Sequence, residues 1–227
     1  MCFCVATASI DRSVKIWDLK EKKLLFTLLP AEGKLETPYI FCGVQSDGKK
    51  VVAVALSGAI YSWNVNSFAD NKLPDLVLHR HQAPVTCVAV AKKPKEIISG
   101  DTNNTVLIWP ESGIPRELYT GGNEKKGISQ ITLSFDESLV YITETQGSLL
   151  SFDRKSGEKK FEISDIKGNF KGLVASRKNN EELYALQTKI VFKIKNGAVE
   201  KKVNLNYESK CFEVNEELGE ILVGDKK

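Results

Sequence analysis

The sequence has few of the residues from which catalytic centres are most often built. Its 227 residues include two histidines, and no G-x-S-x-G nucleophile motif, P-loop or dinucleotide-binding glycine fingerprint occurs. An active site would require paired acids at a defined separation, a Ser, His and Asp set, or a metal cluster. Asp11, Asp101 and Asp153 lie in predicted strand-end turns, where a structural use is expected. We therefore predict a non-enzyme without a cofactor or a small-molecule substrate.

Long hydrophobic runs and paired cysteines are also absent. No stretch of 18 apolar residues and no signal-peptide pattern is found, and the five cysteines are an odd number without paired spacing. These absences predict a cytoplasmic, reduced chain that does not enter a membrane. Cys42 and Cys87 fall within apolar alternations, where a thiol acts as a small buried side chain. The spacing of "CFC" at residues 2–4 is poor for a zinc site.

The sequence also has no large excess of positive or negative charge. Lys plus Arg number 32 against 29 Asp plus Glu, which gives a net charge of +3. The lysine-rich runs at residues 20–23, 92–95 and 157–160 lie beside acids or turn residues. We interpret them as a solvated rim that protects sheet edges from aggregation, and predict no nucleic-acid partner. A stripe that follows phosphates or an acidic protein surface is the alternative.

What the sequence does contain is a repeated unit. Each unit has a β-rich run that ends on a large apolar anchor, and successive anchors are 46, 46, 43 and 42 residues apart. The anchors are Trp17, Trp63, Trp109, Phe152 and Ile194. From the second unit on, the anchor run is the third of four short β-rich runs, which indicates an antiparallel four-stranded blade. No helix-period apolar stripe of useful length competes with this pattern.

A single blade cannot cover both of its faces, so blades have to stack around a centre. The sequence therefore predicts an all-β propeller of about five blades, four complete and the terminal ones partial. A sandwich or a barrel would not need a unit at nearly constant spacing. Because the chain opens and closes at second strands, we expect a piece of a longer protein; five irregular blades that close by themselves are the alternative.

The stretch "ATASIDRSVKIWDL", residues 6–19, resembles the end of a WD40 repeat. It has a small hydroxyl residue, an Asp six positions before a Trp, and alternating apolar residues up to "WD". The resemblance implies a buried polar relay that runs from a His through the turn Asp and the hydroxyl to the indole, and that is structural. In this unit the implied structural residues are Thr7, Ser9, Asp11, Trp17 and Asp18.

The other units depart from the WD40 pattern. Before Trp109, the resemblance assigns His81 to the histidine place, Ser99 to the hydroxyl place and Asn103 to the turn place. The turn place of two further units is also uncharged, with Ser57 and Gln146. Since the Asp and the His occur in different units, we expect the relay to be complete in none of them.

His79 and His81 form an H-x-H pair on a predicted strand, where both rings would point to one face. Such a pair could hold a metal ion, but no carboxylate or cysteine at ligand spacing joins it. A structural role for His81 is therefore the preferred interpretation, and no metal site is predicted.

Longer stretches resemble one WD40 family, that of actin-interacting protein 1. They are residues 51–65, 73–109, 127–153, 182–197 and 210–227. The resemblance lies in blade order: a blade with "ALSG" and an aromatic strand precedes the blade with the histidine. It implies a cytoplasmic, cytoskeletal platform that binds F-actin and ADF/cofilin and promotes filament disassembly. No position is found onto which an actin contact can be carried.

The same resemblance implies two propellers in tandem. Residues 1–80 would end the first propeller and residues 81–227 would begin the second, with the junction within 66–81; a single five-bladed propeller over 1–227 is the alternative. A scaffold subunit of a ubiquitin-ligase, ribosome-biogenesis or trafficking complex is the competing function, because the fold does not determine the partner. A propeller enzyme with carboxylates at its central channel is the third possibility.

Overall fold

The computed structural model describes residues 4–28, 39–44, 50–55, 57–64, 73–78, 80–111, 114–121, 126–166 and 168–225. These ranges contain β-strands and turns and no helix, so they also contain no helix with the length and hydrophobicity that crossing a bilayer needs. The strands form six antiparallel sheets, which we number blade 1 to blade 6 in chain order. Blades 2 to 5 have four strands each, blade 1 has three and blade 6 has two.

Within each blade the strands pair in sequence order. Blade 1 consists of β1 Cys4–Ala8, β2 Val14–Asp18 and β3 Lys23–Leu28. Blade 2 consists of β4 Tyr39–Val44, β5 Lys50–Ala55, β6 Ile60–Asn64 and β7 Leu76–Leu78. Blade 3 consists of β8 Val85–Ala91, β9 Glu96–Asp101, β10 Thr105–Pro110 and β11 Arg116–Thr120.

The remaining blades follow the same scheme. Blade 4 consists of β12 Ile128–Leu133, β13 Leu139–Glu144, β14 Leu149–Asp153 and β15 Lys159–Ile163. Blade 5 consists of β16 Phe170–Ala175, β17 Glu182–Gln187, β18 Ile190–Lys195 and β19 Ala198–Asn204. Blade 6 consists of β20 Ser209–Asn215 and β21 Glu220–Asp225. Four complete blades thus lie between two partial ones, which confirms the blades predicted from the repeat.

The five anchors occupy equivalent positions in their sheets. In the complete blades each anchor lies on the third strand, and in blade 1 it lies on β2. Each anchor faces an aliphatic residue on the neighbouring strand. The pairs are Trp17 with Val5, Trp63 with Val51, Trp109 with Ile97, Phe152 with Val140, and Ile194 with Leu183. A constant spacing in the sequence therefore reports a constant register in the structure.

The blades stack in chain order, and their first strands β4, β8, β12, β16 and β20 are successive neighbours. Because side chains alternate between the two faces of a strand, a strand covered on both sides is apolar along its length. The run "VVAVA" of β5 shows this, since it is buried throughout. The apolar clusters accordingly lie between adjacent blades, from blade 1 to blade 5.

The predicted junction between residues 1–80 and 81–227 falls between blades 2 and 3. There, Val52 and Ile60 of blade 2 share a buried cluster with Trp109 of blade 3. The division at residues 80 and 81 and its alternative, a single five-bladed propeller over residues 1–227, both stay predictions. Within the stretch 66–81, residues 66–72 and 79 lie outside the described residues.

The cysteines differ in their surroundings. Cys87 is buried in the cluster between blades 3 and 4, and this burial raises the pKa of its thiol to about 12. Cys211 is exposed and free. Cys4 is in a disulfide bond, which corrects the expectation of a fully reduced chain. The side chain of Cys42 lies outside the described residues.

Candidate functional site

Blade 3 contains a buried chain of polar side chains. The Nε1 of Trp109 donates a hydrogen bond of 2.7 Å to the Oγ of Ser99, and the Nε2 of His81 lies 2.6 Å from the same oxygen. The other ring nitrogen of His81, Nδ1, lies 2.8 Å from the Oδ2 of Asp101. The side chains of His81 and Asp101 are 0% and 2% exposed. Each link is satisfied away from water, so the network stabilises one blade geometry.

Asp101 also closes the turn between β9 and β10. Its Oδ1 accepts backbone hydrogen bonds of 2.9 Å from Asn103 and 3.0 Å from Thr105. Asn104, in the same turn, has a φ of +64°, a backbone conformation that asparagine tolerates. One carboxylate therefore connects the turn to the histidine that enters the blade.

This geometry corrects the expected relay. Asn103 was assigned to the turn place, but both ring nitrogens of His81 are taken by Ser99 and Asp101. Asn103 is exposed, and Asp101, two residues earlier, is the acid of the relay. Blade 3 thus holds a complete relay, contrary to the expectation that no unit would. The sequence signal for this acid is the spacing S-x-D at residues 99–101, which places Asp101 two residues before the WD40 turn place at Asn103.

Blade 1 repeats one hydrogen bond of this relay, the one from the indole of the anchor to a hydroxyl. The Nε1 of Trp17 donates a 3.0 Å hydrogen bond to the Oγ1 of Thr7, ten residues earlier, as Trp109 does to Ser99. Asp18, at the end of β2, accepts backbone hydrogen bonds of 2.8 and 3.0 Å from Lys20 and Glu21 and so caps the next turn.

The turn of blade 1 is held by Asp11. Its Oδ1 accepts hydrogen bonds of 2.6 Å from the hydroxyl and 2.9 Å from the backbone N–H of Ser13, and its own N–H donates to Ser9. The hydroxyl of Ser13, followed by its backbone N–H, lowers the pKa of Asp11 to about 2. Asp11 therefore acts within its own turn.

The anchors of blades 2 and 4 pack against aromatic rings. The position ten residues before the anchor, which carries the hydroxyl in blades 1 and 3, is Ala53 in blade 2 and Ile142 in blade 4. Trp63 stacks on Tyr61 with ring centroids 6.0 Å apart. Phe152 lies 5.2 Å from the ring of Tyr119 of blade 3. Gln146, at the turn place of blade 4, is exposed.

Blades 3 and 4 are joined at the turns between their first and second strands. The Oε2 of Glu137, in blade 4, accepts hydrogen bonds of 2.7 and 3.2 Å from the backbone N–H groups of Lys92 and Lys93. Arg154, also of blade 4 and buried, donates to the carbonyl of Lys93 at 2.6 Å and to Glu96 at 3.1 Å. In such a contact, the turn between the first and second strands of one blade donates a backbone N–H to a side chain in the corresponding turn of the next blade. We call this contact an inter-blade latch.

Two further latches continue along the array. The N–H of Asp136 in blade 4 donates to the Oδ1 of Asn180 in blade 5 at 3.0 Å. The N–H of Arg177 in blade 5 donates to the Oε2 of Glu216 in blade 6 at 2.8 Å. Three successive junctions thus have the same direction of donation, although the acceptors are of different types. The latch at Glu137 is partly buried and the other two are exposed, and each hydrogen bond links the turns of two neighbouring blades.

At the opposite end of their strands, blades 3 and 4 meet through Glu144. Its Oε1 accepts hydrogen bonds of 2.7 Å from the Nδ2 of Asn104 and 2.8 Å from the hydroxyl of Tyr119. Burial, and then the hydrogen bond to Glu144, raise the pKa of Tyr119. The phenol is therefore a fixed donor over the range of ordinary pH.

The latched turns surround an open cleft at the ends of the first strands of blades 3 to 6, which we call the axial cleft. Its lining includes Val90, Lys92, Leu133, Phe135, Arg177 and Glu213. Phe135 is 64% exposed at its rim. Arg177 and Glu213 form an exposed ion pair of 3.6 Å, which contributes little to stability. An exposed aromatic ring beside an arginine is the composition favoured at protein interfaces.

The described residues contain no group of three or more His, Cys, Asp or Glu side chains that could hold a metal ion. His79 lies outside them, so the geometry of the H-x-H pair is not described. Both ring nitrogens of His81 lie within hydrogen-bonding distance of side chains in the relay of blade 3.

The blades and the relay agree with the comparisons with known families. Residues 74–110, which include the whole relay of blade 3, match the WD40 family described as WD domain, G-beta repeat. Residues 74–110 are thus similar to one WD40 repeat, and the four-stranded antiparallel sheets are consistent with WD40-type β-propeller blades.

Several curated proteins are similar to the chain. WD repeat-containing protein 18 of Danio rerio is 30% identical over 46% of this chain and 25% of its own length. Autophagy-related protein 16 of Arabidopsis thaliana is 24% identical over 78% of this chain and 33% of its length. WD repeat-containing protein 1 of Mus musculus is 21% identical over 76% of this chain and 28% of its length. The matches span a quarter to a third of these relatives.

Proposed function

We propose that the protein is a non-catalytic platform that binds partner proteins at its axial cleft. The observation that carries this proposal is the exposed Phe135 on a rim built by latched turns. Latched turns present the rim in one conformation, so that little conformational entropy is lost when a partner binds. The polar groups of the relay are buried and paired in blade 3, and they act on the blade itself.

A matched pair of variants tests the cleft. Phe135→Ala removes the exposed ring from the rim, whereas Ile114→Ala removes an 81% exposed side chain from the loop two residues before β11 of blade 3. Proteins captured from cell extract by the wild type should be retained by Ile114→Ala and lost by Phe135→Ala. Equal recovery by both variants would exclude the axial cleft as the binding surface.

The partner we propose is filamentous actin that carries ADF/cofilin, and the site of action is the cytoplasmic actin cytoskeleton. This finer proposal rests on the resemblance of the blade order to the actin-interacting protein 1 family. Sedimentation with filaments, with and without cofilin, should pellet the protein only with decorated filaments, and disassembly should accelerate. A protein that stays in the supernatant and leaves disassembly unchanged would exclude actin. Imaging of the tagged protein against stained filaments tests the location.

A scaffold role in another assembly is the second candidate. The chain is similar to WD repeat-containing protein 18 as well as to WD repeat-containing protein 1, and a propeller fold does not determine its partner. The capture experiment separates the two candidates. Recovery of a ubiquitin-ligase, ribosome-biogenesis or trafficking complex without actin or cofilin supports the scaffold role.

A further inference from the structure

A second cleft lies between blades 3 and 4, beside the turn that connects β14 to β15. Its volume is about 550 Å³, which is within the range of cavities that bind ligands. We call it the inter-blade cleft. The charged residues that line it are Glu96 and Arg116 of blade 3 and Asp153, Arg154 and Lys155 of blade 4.

The buried guanidinium of Arg154 is fully engaged within the chain. It donates hydrogen bonds of 2.6 and 3.3 Å to the carbonyls of Lys93 and Pro94, and one of 3.1 Å to the Oε2 of Glu96. The side chains of Arg154 and Glu96 are 8% and 13% accessible. Their charges therefore compensate each other, and this part of the cleft is fixed.

The second acid of the lining, Asp153, is directed into its own turn. Its Oδ1 accepts hydrogen bonds of 3.0 and 2.7 Å from the backbone N–H groups of Lys155 and Ser156. The hydroxyl of Ser156 donates a third, of 2.9 Å, to the same oxygen. Both acids of the cleft thus have partners within the chain.

The two remaining cations of the lining are not compensated. The Nη2 of Arg116 donates across the junction to the carbonyl of Arg154, which positions the guanidinium without neutralising it. Among the residues that the structure describes, neither Arg116 nor Lys155 forms an ion pair with a carboxylate. Arg116 is half-buried, and a charge removed from water is unfavourable without a counter-charge. An incoming anion would supply that counter-charge.

Other lysines of blade 4 differ from Lys155 in this respect. On the outer strand β15, Lys159 is paired with Glu162 at 2.7 Å, and Lys160 with Glu158 at 2.8 Å. The charge of the outer strand is therefore neutralised in local pairs, whereas the positive charge at the inter-blade cleft is left over. Such an excess attracts acidic partners.

The donors that remain at the cleft favour a carboxylate over a phosphate. Phosphate sites commonly draw on backbone N–H groups that converge on the anion. Here the N–H groups of Lys155 and Ser156 are already bonded to Asp153. The guanidinium of Arg116 has a planar set of donors that matches the two oxygens of a carboxylate, and Lys155 adds a second positive charge.

We propose that the inter-blade cleft binds carboxylate side chains of an acidic segment in a partner protein. Arg116 holds one carboxylate through its guanidinium, and Lys155 attracts a second. The proposal goes beyond the axial cleft, because neither Arg116 nor Lys155 lines that cleft.

Fluorescence anisotropy with a labelled oligo-glutamate peptide tests the proposal, with an oligo-glutamine peptide of the same length as the uncharged control. The wild type should bind the glutamate peptide more tightly, and added salt should weaken this binding. Arg116→Gln should weaken it about tenfold and Lys155→Gln about threefold. A wild type that binds both peptides equally would exclude the proposal.

Lys159→Gln is the matched control, because it removes the same formal charge from blade 4 at a lysine that is already paired. It should change the affinity for the glutamate peptide by less than about twofold. A loss as large as that of Arg116→Gln would assign the binding to net charge and overturn the proposal.

Two further variants separate the binding role of Arg116 from its structural hydrogen bond to Arg154. Arg116→Lys keeps the charge without the planar donors, so its affinity should lie between those of the wild type and Arg116→Gln. Lys155→Gln removes no side-chain hydrogen bond in the described part of the chain, and urea unfolding should show it as stable as the wild type. A folded Lys155→Gln with unchanged affinity would contradict the assigned site.

Two controls define the ligand and the location. Inorganic phosphate should displace the glutamate peptide only at concentrations above those at which unlabelled oligo-glutamate does so. Displacement at lower concentrations would assign the cleft to a small anion and overturn the proposal. Phe135→Ala should leave the affinity for the peptide unchanged, so the outcome does not depend on the function proposed for the axial cleft. A loss in Phe135→Ala equal to that in Arg116→Gln would place the peptide elsewhere.

Discussion

His81 and Asp101 form a buried pair, with Nδ1 of the imidazole 2.8 Å from Oδ2 of the carboxylate and no more than 2% of either side chain exposed. The same carboxylate closes the turn after β9 through its other oxygen. This pair connects the entry of blade 3 to its second and third strands. Its removal should therefore affect the whole blade.

Asp101→Ala and Asn103→Ala distinguish the acid of the relay from its exposed neighbour. Asp101→Ala leaves His81 buried without its partner and removes the acceptor of two backbone N–H groups. We expect a loss of about 3 kcal/mol in the free energy of unfolding. Asn103→Ala should change it by less than about 0.5 kcal/mol. Urea unfolding measures both, and equal losses would contradict the assignment of Asp101.

Trp109→Phe and Trp17→Phe compare the same hydrogen bond in buried and exposed surroundings. Trp109→Phe removes a buried donor to Ser99 and leaves a cavity, so we expect a loss of about 2 kcal/mol. Trp17→Phe should cost about 0.5 kcal/mol, because the indole is partly solvated. Thermal and urea unfolding at a concentration where the protein is monomeric are the measurements. A larger loss for Trp17→Phe would show that blade 1 is covered.

Glu137→Gln weakens the latch between blades 3 and 4. The carboxylate accepts two backbone hydrogen bonds, and bonds to a charged acceptor are the stronger kind. We expect the free energy needed to open the junction between blades 3 and 4 to fall by about 2 kcal/mol. The amides of Lys92 and Lys93 should exchange with solvent faster. Glu217→Gln, at an exposed turn of blade 6, is the control, and unchanged exchange in Glu137→Gln would contradict the latch.

Asp11 gives a pH dependence of known sign. Its pKa is lowered from 3.8 to about 2 in the folded chain, so between these values the unfolded state binds more protons. The stabilisation from Asp11 is therefore complete above about pH 4 and is lost as the pH falls through about 2. NMR titration of its carboxyl carbon should give a midpoint near 2, and Ser13→Ala should raise it. A midpoint that Ser13→Ala leaves unchanged would contradict the assigned cause.

The free thiols should react at very different rates. Cys211 is exposed, whereas burial holds the pKa of Cys87 at about 12 and keeps it protonated. A disulfide reagent should label Cys211 in the folded protein and Cys87 only after denaturation. Mass spectrometry of the labelled peptides is the measurement, and early labelling of Cys87 would show that blades 3 and 4 separate.

Much of the fold follows from local pattern. Alternation of apolar residues, turn residues between short runs and a constant anchor spacing predict the blades, because each reports backbone geometry that recurs in every unit. The WD40 resemblance implies hydroxyl residues at Thr7 and Ser99, and the structure places each of them ten residues before the indole that it accepts from. These features depend on residues within one sheet.

The spacing of residues before the anchor does not by itself identify the carboxylate that belongs to the relay. Arg12 and Asn104 lie five residues before their anchors and have φ values of 68° and 64°, so the two turns have the same shape. Alternate residues of such a segment share a face, and a carboxylate at either of two positions can approach the histidine. Only the position of His81 across the blade decides in favour of Asp101.

The latches were not predicted for a different reason. Glu137 and Lys92 are 45 residues apart, Asp136 and Asn180 are 44 apart, and Arg177 and Glu216 are 39 apart. Their acceptors are two glutamates and an asparagine at different places in their turns. No single motif marks them, since each latch has its own chemistry.

That variety has a consequence for cooperativity. Stacked repeats exchange energy mainly with their nearest neighbours, and here each junction from blade 3 to blade 6 depends on a different pair of groups. A substitution that opens one junction leaves the others intact, so the loss of stability is confined to that junction. We expect Glu137→Gln to divide a single unfolding transition into two. The calorimetric enthalpy would then exceed the van't Hoff enthalpy, whereas equal enthalpies would show that the blades still unfold as one unit.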